Sequence, residues 1–340
     1  MTEFTRVGID TSKHEFSLYA VTTAGEVVHR ELRRSRLLAF FERMSPTEVV
    51  LEACAGSHYW GRELQALGHQ VRLVPPQYVK PFVRRSKNDR NDAEAIWTAA
   101  AQPSIVGVPV KSMQQQADAM LLKVREQLVG QRTEMVNALR GHAMEFGFIA
   151  AKGSRGLAEL QQALATAPDH VLPAAAKQAL ALLGRQRDHL EVQLAEVDAA
   201  LKRQLAADPD AKRLAGVPGI GIIGALTLTR TVDFTQFASG RHFAAWLGLV
   251  PKEHSTGGKH RLGRISRSGD ERLRSLLVNG ATAVIRHVRP GRIGLLAWLE
   301  ALLKRKPRKL AAVALANKMA RIAWAMMTSG EAFRLMPQAG

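Results

Sequence analysis

Four acidic residues stand where they could share a metal ion. Asp89 and Asp92 lie three residues apart in Lys87-Asn88-Asp89-Arg90-Asn91-Asp92-Ala93-Glu94, at the start of a run with helical character. At that spacing two side chains share one helix face, about 5–6 Å apart at Cβ. Taken alone, two acids in a first helical turn are ordinary surface residues that suit the helix dipole. Their company makes them candidates: Asp10 follows the short apolar run Val-Gly-Ile, and Glu52 ends Val-Val-Leu. Four carboxylates packed together repel one another unless cations neutralise them. Such hard oxygen donors suit Mg2+, with Mn2+ as a substitute, and the chemistry those ions serve is phosphodiester cleavage. No histidine–cysteine spacing in the chain suggests zinc.

The elements that must position these acids can be read from the pattern of apolar residues. Residues 4–9 read as a strand that delivers Asp10, and 15–21 and 26–32 as two further strands of an antiparallel meander. Residues 36–44 look helical, 48–52 form a short apolar strand ending on Glu52, and 58–67 are helical again. A fifth strand, 70–74, is closed by Pro75-Pro76. A basic segment with Lys80, Arg84, Arg85 and Lys87 precedes the helix that carries Asp89 and Asp92. Three strands, helix, strand, helix, strand, helix is the order of an RNase H-like α/β domain. In that fold one acid lies on the first strand, one at the end of the fourth and the last on a late helix.

A chain of 340 residues has room for two or three domains. Its 48 lysines and arginines against 30 acids leave a net charge of +18, which points to a polyanionic partner, most often nucleic acid. The one cysteine, Cys54, excludes an internal disulfide and suits a reducing cytoplasm; at a strand end it reads as a small buried filler. No signal peptide is evident, and no apolar run reaches the ~18 residues of a membrane span, so no membrane partner is expected.

We expect a helical middle from about 106 to 208, between an N-terminal domain over 1–105 and a C-terminal one over 209–340. Leu180, Leu183, Leu190, Leu194, Val197, Leu201 and Leu205 fall at heptad spacing. Two long helices there suit an antiparallel hairpin or a coiled coil, and the length of the seams favours use between chains. Residues 214–228 look like a helix-hairpin-helix element whose hairpin, with Gly219 and Gly221, offers backbone N–H groups to a phosphate. Phe237 to Leu249 reads as a helix. A polar loop follows, with Ser255 and the cations Lys259, Arg261 and Arg264. A serine in such a loop is ordinarily a hydrogen-bond donor. Near the end, Lys304, Arg305, Lys306, Arg308 and Lys309 make a basic cluster suited to nucleic acid, followed by an amphipathic helix over 310–328.

These motifs together resemble one family. The chain is similar along nearly its whole length to the DEDD-type transposases of insertion-sequence family one hundred and ten, especially its eleven-eleven branch. The resemblance rests on Val-Gly-Ile-Asp10-Thr-Ser-Lys, Glu52-Ala-Cys, Pro75-Pro76-Gln77-Tyr78-Val79-Lys80-Pro81 and Lys87-Asn88-Asp89-Arg90-Asn91-Asp92-Ala93-Glu94. At the back it rests on Val217-Pro218-Gly219-Ile220-Gly221, Gly248-Leu249-Val250-Pro251, His254-Ser255-Thr256-Gly257-Gly258 and Ile265-Ser266-Arg267-Ser268-Gly269-Asp270. The resemblance implies a RuvC-like N-terminal domain, a coiled-coil linker and a C-terminal transposase domain with a catalytic serine. By it, Asp10, Glu52, Asp89 and Asp92 are the metal ligands and Ser255 is the nucleophile, with Thr256, Ser266 and Ser268 close by. It also implies guidance by an element-encoded non-coding RNA, donor and target DNA as substrates, homodimers assembling to homotetramers, and a bacterial, nucleoid-associated location. The general base for the serine is not evident, though His254 is near in sequence. Two rivals stay open on sequence alone: a metal-only RuvC-type nuclease or resolvase, and a non-catalytic nucleic-acid-binding protein.

Overall fold

The computed structural model describes residues 4–84, 88–257, 261–288 and 294–334. The chain forms two compact units, Met1–Gln116 and Ala117–Gly340.

The first unit is built on one five-stranded sheet. Its strands are β1 (Phe4–Thr11), β2 (Glu15–Thr22), β3 (Val27–Arg33), β4 (Glu48–Glu52) and β5 (Gln70–Val74). They lie in the order β3-β2-β1-β4-β5. The meander expected from alternation is present, since β1 pairs antiparallel with β2 and β2 with β3. β4 joins β1 in parallel and β5 joins β4 in parallel, as strands linked through helices must. The intervening helices are α1 (Leu37–Phe41), α2 (Ser57–Ala66), α3 (Pro76–Val79) and α4 (Asp89–Ala100).

The period-two alternation of a strand sorts side chains between two cores. Val7, Ile9, Val49 and Leu51 pack with Phe16, Leu37, Phe41, Trp60 and Leu64 on one face. Val50 and Val74 pack with Ala95, Ile96, Ala99 and Ala100 of α4 on the other. Gly8 belongs to the α4 face, and a Cβ there would lie 2.7 Å from the Ala93 carbonyl oxygen and 2.9 Å from Trp97 Cβ. Glycine is what lets α4 settle onto β1 at that depth.

The second unit is mostly helical. It holds α5 (Met113–Met144, whose first turn belongs to the first unit), α6 (Ser154–Thr166), α7 (Ala174–Ala207), α8 (Pro209–Ala215), α9 (Ile222–Thr231) and α10 (Gly240–Trp246). A two-stranded hairpin follows, β6 (Pro251–Glu253) and β7 (Leu262–Ile265), and then α11 (Glu271–His287), α12 (Leu295–Leu303) and α13 (Arg308–Ser329).

The long helices pair with each other inside one chain, as the antiparallel hairpin of the two expected arrangements. Arg125 on α5 meets Asp198 on α7 at 2.5 Å, and Arg132 meets Glu191 at 3.5 Å, which makes the two helices antiparallel. Leu180, Leu190, Leu194 and Leu201 are buried within the unit. At one end Leu139, Ala143, Leu157, Leu160, Leu164, Leu172 and Leu180 form a local core with α6. At the other, Leu122 and Leu201 enter the large core of the C-terminal helices. That shared core is why the unit boundary falls at 116/117 rather than at the expected segment limits, 105 and 208.

Asp118, Gln204, Asp208 and Arg230 lock α5, α7, α8 and α9 together. Arg230 bonds Asp118 at 2.9 Å and Asp208 at 2.7 Å, and Gln204 donates to Asp118 at 3.0 Å. α13 is long and apolar enough by composition to cross a membrane. Its Ala311, Ala312, Leu315, Ala316, Met319, Ala320 and Ala323 are instead buried in the core of this unit.

Candidate active site

The acid-bearing residues come from both sides of the β1–α4 contact. Asp10 lies two residues beyond Gly8, on the same face of β1, so it points toward α4. On α4 the cap is Asn88, whose side chain accepts from the Asn91 N–H at 2.8 Å. Asp89 and Asp92 therefore keep their carboxylates for something other than capping. One carboxylate oxygen from each of Asp10, Asp89 and Asp92 lies within 4.8 Å of the others.

Glu52 is the last residue of β4 and shares the face of Val50, the α4 side. The parallel register pairs Ile9 with Leu51, so Asp10 and Glu52 follow on adjacent strand ends. Glu52 stands outside the three-acid group, yet its charge acts on Asp10. The Asp10 carboxyl is pushed up from 3.8 to about 6, first by burial and then by the negative charges of Asp92, Asp89 and Glu52; the Thr11 backbone N–H opposes the shift. A raised carboxyl inside a ring of acids is what a bound cation would relieve. The donor set, all carboxylate, fits a hard divalent ion such as Mg2+ or Mn2+. Beside the site, Cys54 is exposed and not buried as its sequence position suggests; its sulfur lies 3.2 Å from Thr11 Oγ1.

Ser255 sits in the second unit, just past β6. The stretch expected to be a loop is a β-hairpin, with Pro251 paired to Ile265 and Glu253 to Leu262. Both strands are short and exposed, so they lack the buried alternation that marks a strand in sequence. The Ser255 hydroxyl donates to Glu253 Oε1 at 2.7 Å and accepts from the Arg261 N–H at 3.3 Å. His254 takes the other side: its backbone N–H bonds the Arg261 carbonyl at 2.8 Å, and its ring packs near Gly263. The partner of the Ser255 hydroxyl is thus Glu253. The signal for it was present, since residues i and i+2 of an extended chain share a face.

Two glycines brace the base of this hairpin. Gly248 and Gly269 have φ of 71° and 72°. A Cβ on Gly269 would lie 1.9 Å from the Trp246 carbonyl oxygen, and one on Gly248 would lie 2.5 Å from Ser268. The Gly-Leu-Val-Pro and Ser-Arg-Ser-Gly motifs therefore cross backbone to backbone. Arg274, buried, ties them further by donating to the Leu247 and Ser268 carbonyls at 3.1 and 2.9 Å. Ser266 and Ser268 bond each other at 2.8 Å.

The other sequence candidates divide by exposure. α8, a turn and α9 cover the stretch read as a helix-hairpin-helix element. Gly219 has φ of 92°, and it lies so close to Gly280 of α11 that a Cβ on Gly280 would come within 1.9 Å of the Gly219 oxygen. Its glycine is thus explained by packing. Gly221 is exposed, caps α9 and has open space around it. Lys80, Arg84, Arg261, Arg264, Lys304, Arg305, Lys306, Arg308 and Lys309 are exposed, and Arg84 bonds Glu94 at 2.7 Å. Arg85, Lys87 and Lys259 lie outside the described residues.

Comparison with known proteins bears on both units. Residues 7–147 match the model of a DEDD-type IS110 transposase domain, and residues 211–293 match that of the transposase IS116/IS110/IS902 family. A Sinorhizobium fredii protein that carries a transposase's name, y4pF/y4sB, is 49% identical over 97% of this chain and 85% of its own length. The transposase for insertion sequence element IS1328 of Yersinia enterocolitica is 39% identical over 98% of this chain and 99% of its own. That for IS1111A of Coxiella burnetii is 37% identical over 96% and 91%.

Proposed function

Because the chain belongs to the IS116/IS110/IS902 family of transposases, enzymes that act on DNA, we propose that it mobilises an insertion sequence by metal-dependent, serine-mediated strand cleavage and exchange. The observation that carries the proposal is the meeting of Asp10, Asp89 and Asp92 oxygens within 4.8 Å. Glu52 on the neighbouring strand end completes the acid quartet. The sheet order β3-β2-β1-β4-β5, with acids on β1, at the end of β4 and on α4, supports an RNase H-like, RuvC-like reading of the first unit.

Asp10, Asp89, Asp92 and Glu52 would hold Mg2+ or Mn2+. When bound, such an ion supplies positive charge to the scissile phosphate and to the charge that develops on it. The four carboxylates fix that charge on rigid elements, a strand pair and a helix start. The Ser255 hydroxyl attacks phosphorus and displaces a deoxyribose oxygen, leaving a phosphoserine link to DNA. The link conserves the phosphoester, so strands can be resealed without ATP. Exposed cations at Arg261 and Arg264 stand on the same hairpin and neutralise the backbone. The net charge of +18 supports a nucleic-acid partner of great charge density, and guidance by an element-encoded RNA is part of the proposal. So is assembly of homodimers into tetramers.

The test is a denaturing gel of protein with Mg2+, RNA transcribed from the element's flanks and labelled DNA carrying the element's abutted ends. Wild type is run beside Ser255→Ala. A DNA-labelled protein band that vanishes in Ser255→Ala is the expected result. Cleavage without such a band, unchanged in Ser255→Ala, would leave a metal-only nuclease.

A further inference from the structure

We infer that Glu253 is the general base for Ser255. This rests on the reading of Ser255 as nucleophile and adds the group that activates it.

The geometry of one short segment supports the assignment. Glu253 ends β6 and Ser255 follows by two, so both side chains emerge on one face. The Ser255 hydroxyl has a single hydrogen, and a carboxylate can only accept. The 2.7 Å contact therefore directs that hydrogen onto Glu253 Oε1. The Arg261 N–H, 3.3 Å from Oγ, occupies one lone pair from across the hairpin. One lone pair remains, and it is the one available to an incoming phosphorus. Two fixed contacts thus hold the hydroxyl rotor in an attacking pose before substrate arrives.

Among the described residues, the neighbouring groups do not offer the same contact. His254 alternates to the opposite face, where its ring packs near Gly263. Ser266 and Ser268 engage each other. Glu253 is exposed, so solvent reaches its carboxylate.

The step balances without a further reagent. Oγ forms a bond to phosphorus and its proton passes to Glu253 Oε1. The bond from phosphorus to the departing deoxyribose oxygen breaks, and that oxygen takes a proton from water. In resealing, a deoxyribose hydroxyl attacks the phosphoserine and gives up its proton to water, the bond from phosphorus to Ser255 Oγ breaks, and Glu253 returns its proton to that oxygen. One carboxylate thus serves both directions, as a reversible strand exchange demands.

Glu253→Gln tests this in the full-length protein, with the same RNA and labelled DNA. Gln keeps the shape and can still accept from Ser255, so the hairpin is retained; a positioned base is worth about 10²–10⁴-fold. The rate of covalent adduct formation is measured under single-turnover conditions across pH, beside DNA binding and thermal stability. The expected result is a loss of about 10²-fold or more, with binding and melting temperature unchanged. The residual rate should climb with pH past the point at which wild type levels off, because hydroxide now takes the proton. Adduct formation at the wild-type rate would overturn the assignment. So would a slower rate with the wild-type pH profile, which would make Glu253 a positioning residue. An adduct that survives in Ser255→Ala would instead remove the nucleophile reading itself, a result that Glu253→Gln cannot mimic.

Discussion

Replacing Asp10 by Asn should stabilise the metal-free protein at pH 8. The Asp10 carboxyl stands at about 6 against an ordinary 3.8, through burial and the charges of Asp92, Asp89 and Glu52. A folded-state value above the unfolded one means the fold prefers the protonated acid. That contribution is fully present below 3.8 and is lost as pH rises through about 6. Two pKa units correspond to about 3 kcal/mol at the limit. Water reaches part of the carboxyl, so screening lowers the figure to about 1–2 kcal/mol. Asn carries no charge at any of these pH values and keeps nearly the same volume. In EDTA at pH 8, Asp10→Asn should therefore melt about 2–4 °C above wild type. At about pH 3 the two should nearly coincide, since Asp10 is then protonated in both the folded and the unfolded wild type. Mg2+ should reverse the order at pH 8, because only wild type retains the full ligand set and gains binding free energy. Calorimetry with and without Mg2+ at both pH values reads all of this. An Asp10→Asn protein that is less stable than wild type in EDTA at pH 8 would refute the electrostatic account. Equal stabilisation of both proteins by Mg2+ would refute the metal site.

Two further substitutions probe the frame around the sites. Arg230→Met leaves buried Asp118 and half-buried Asp208 without their cation; loss of one partner from a fully buried pair costs about 3–5 kcal/mol, so a loss of up to about 3 kcal/mol is expected by urea denaturation, and a change under ~1 kcal/mol would show the pair to be solvated. Gly269→Ala places a methyl where Trp246 oxygen already lies and demands a left-handed alanine, so it should abolish adduct formation while Mg2+ stabilisation of the first unit persists; an active Gly269→Ala would mean the crossing under the hairpin is loose.

The acid site was legible because its signals are local and strong. Short apolar runs ending on Asp10 and Glu52 announce strand ends, and their strand limits matched the sequence to within two residues. The three-residue spacing of Asp89 and Asp92 fixed their common helix face. The depth of α4 on β1 was not legible, because it depends on the empty space at Gly8. The β6–β7 hairpin was missed for a physical reason: it is three and four residues long, exposed on both faces and held by backbone pairing rather than burial. The seam of α7 was visible as a heptad pattern, but such a pattern cannot say which helix fills it. Here α5 of the same chain does, through Leu122, Leu201 and the Arg125–Asp198 pair.

The two sites are built by opposite means, and their chemistry accounts for the difference. Carboxylates that must share a cation need fixed mutual distances, and their repulsion would push a soft scaffold apart. They are accordingly mounted on a sheet centre and a capped helix start, joined where Gly8 admits the Ala93 carbonyl. On the proposed reading Ser255 becomes linked to a DNA strand, so its activating contacts must stay with it. Ser255 rides a two-stranded hairpin whose own bonds, from Glu253 and Arg261, travel with it. Its base is braced by the Gly248–Gly269 crossing and by Arg274. On the proposed reading, activation of the hydroxyl is thus internal to the hairpin. On the proposed reading Glu253, two residues from the serine and bonded to its hydroxyl, is the group placed for that task.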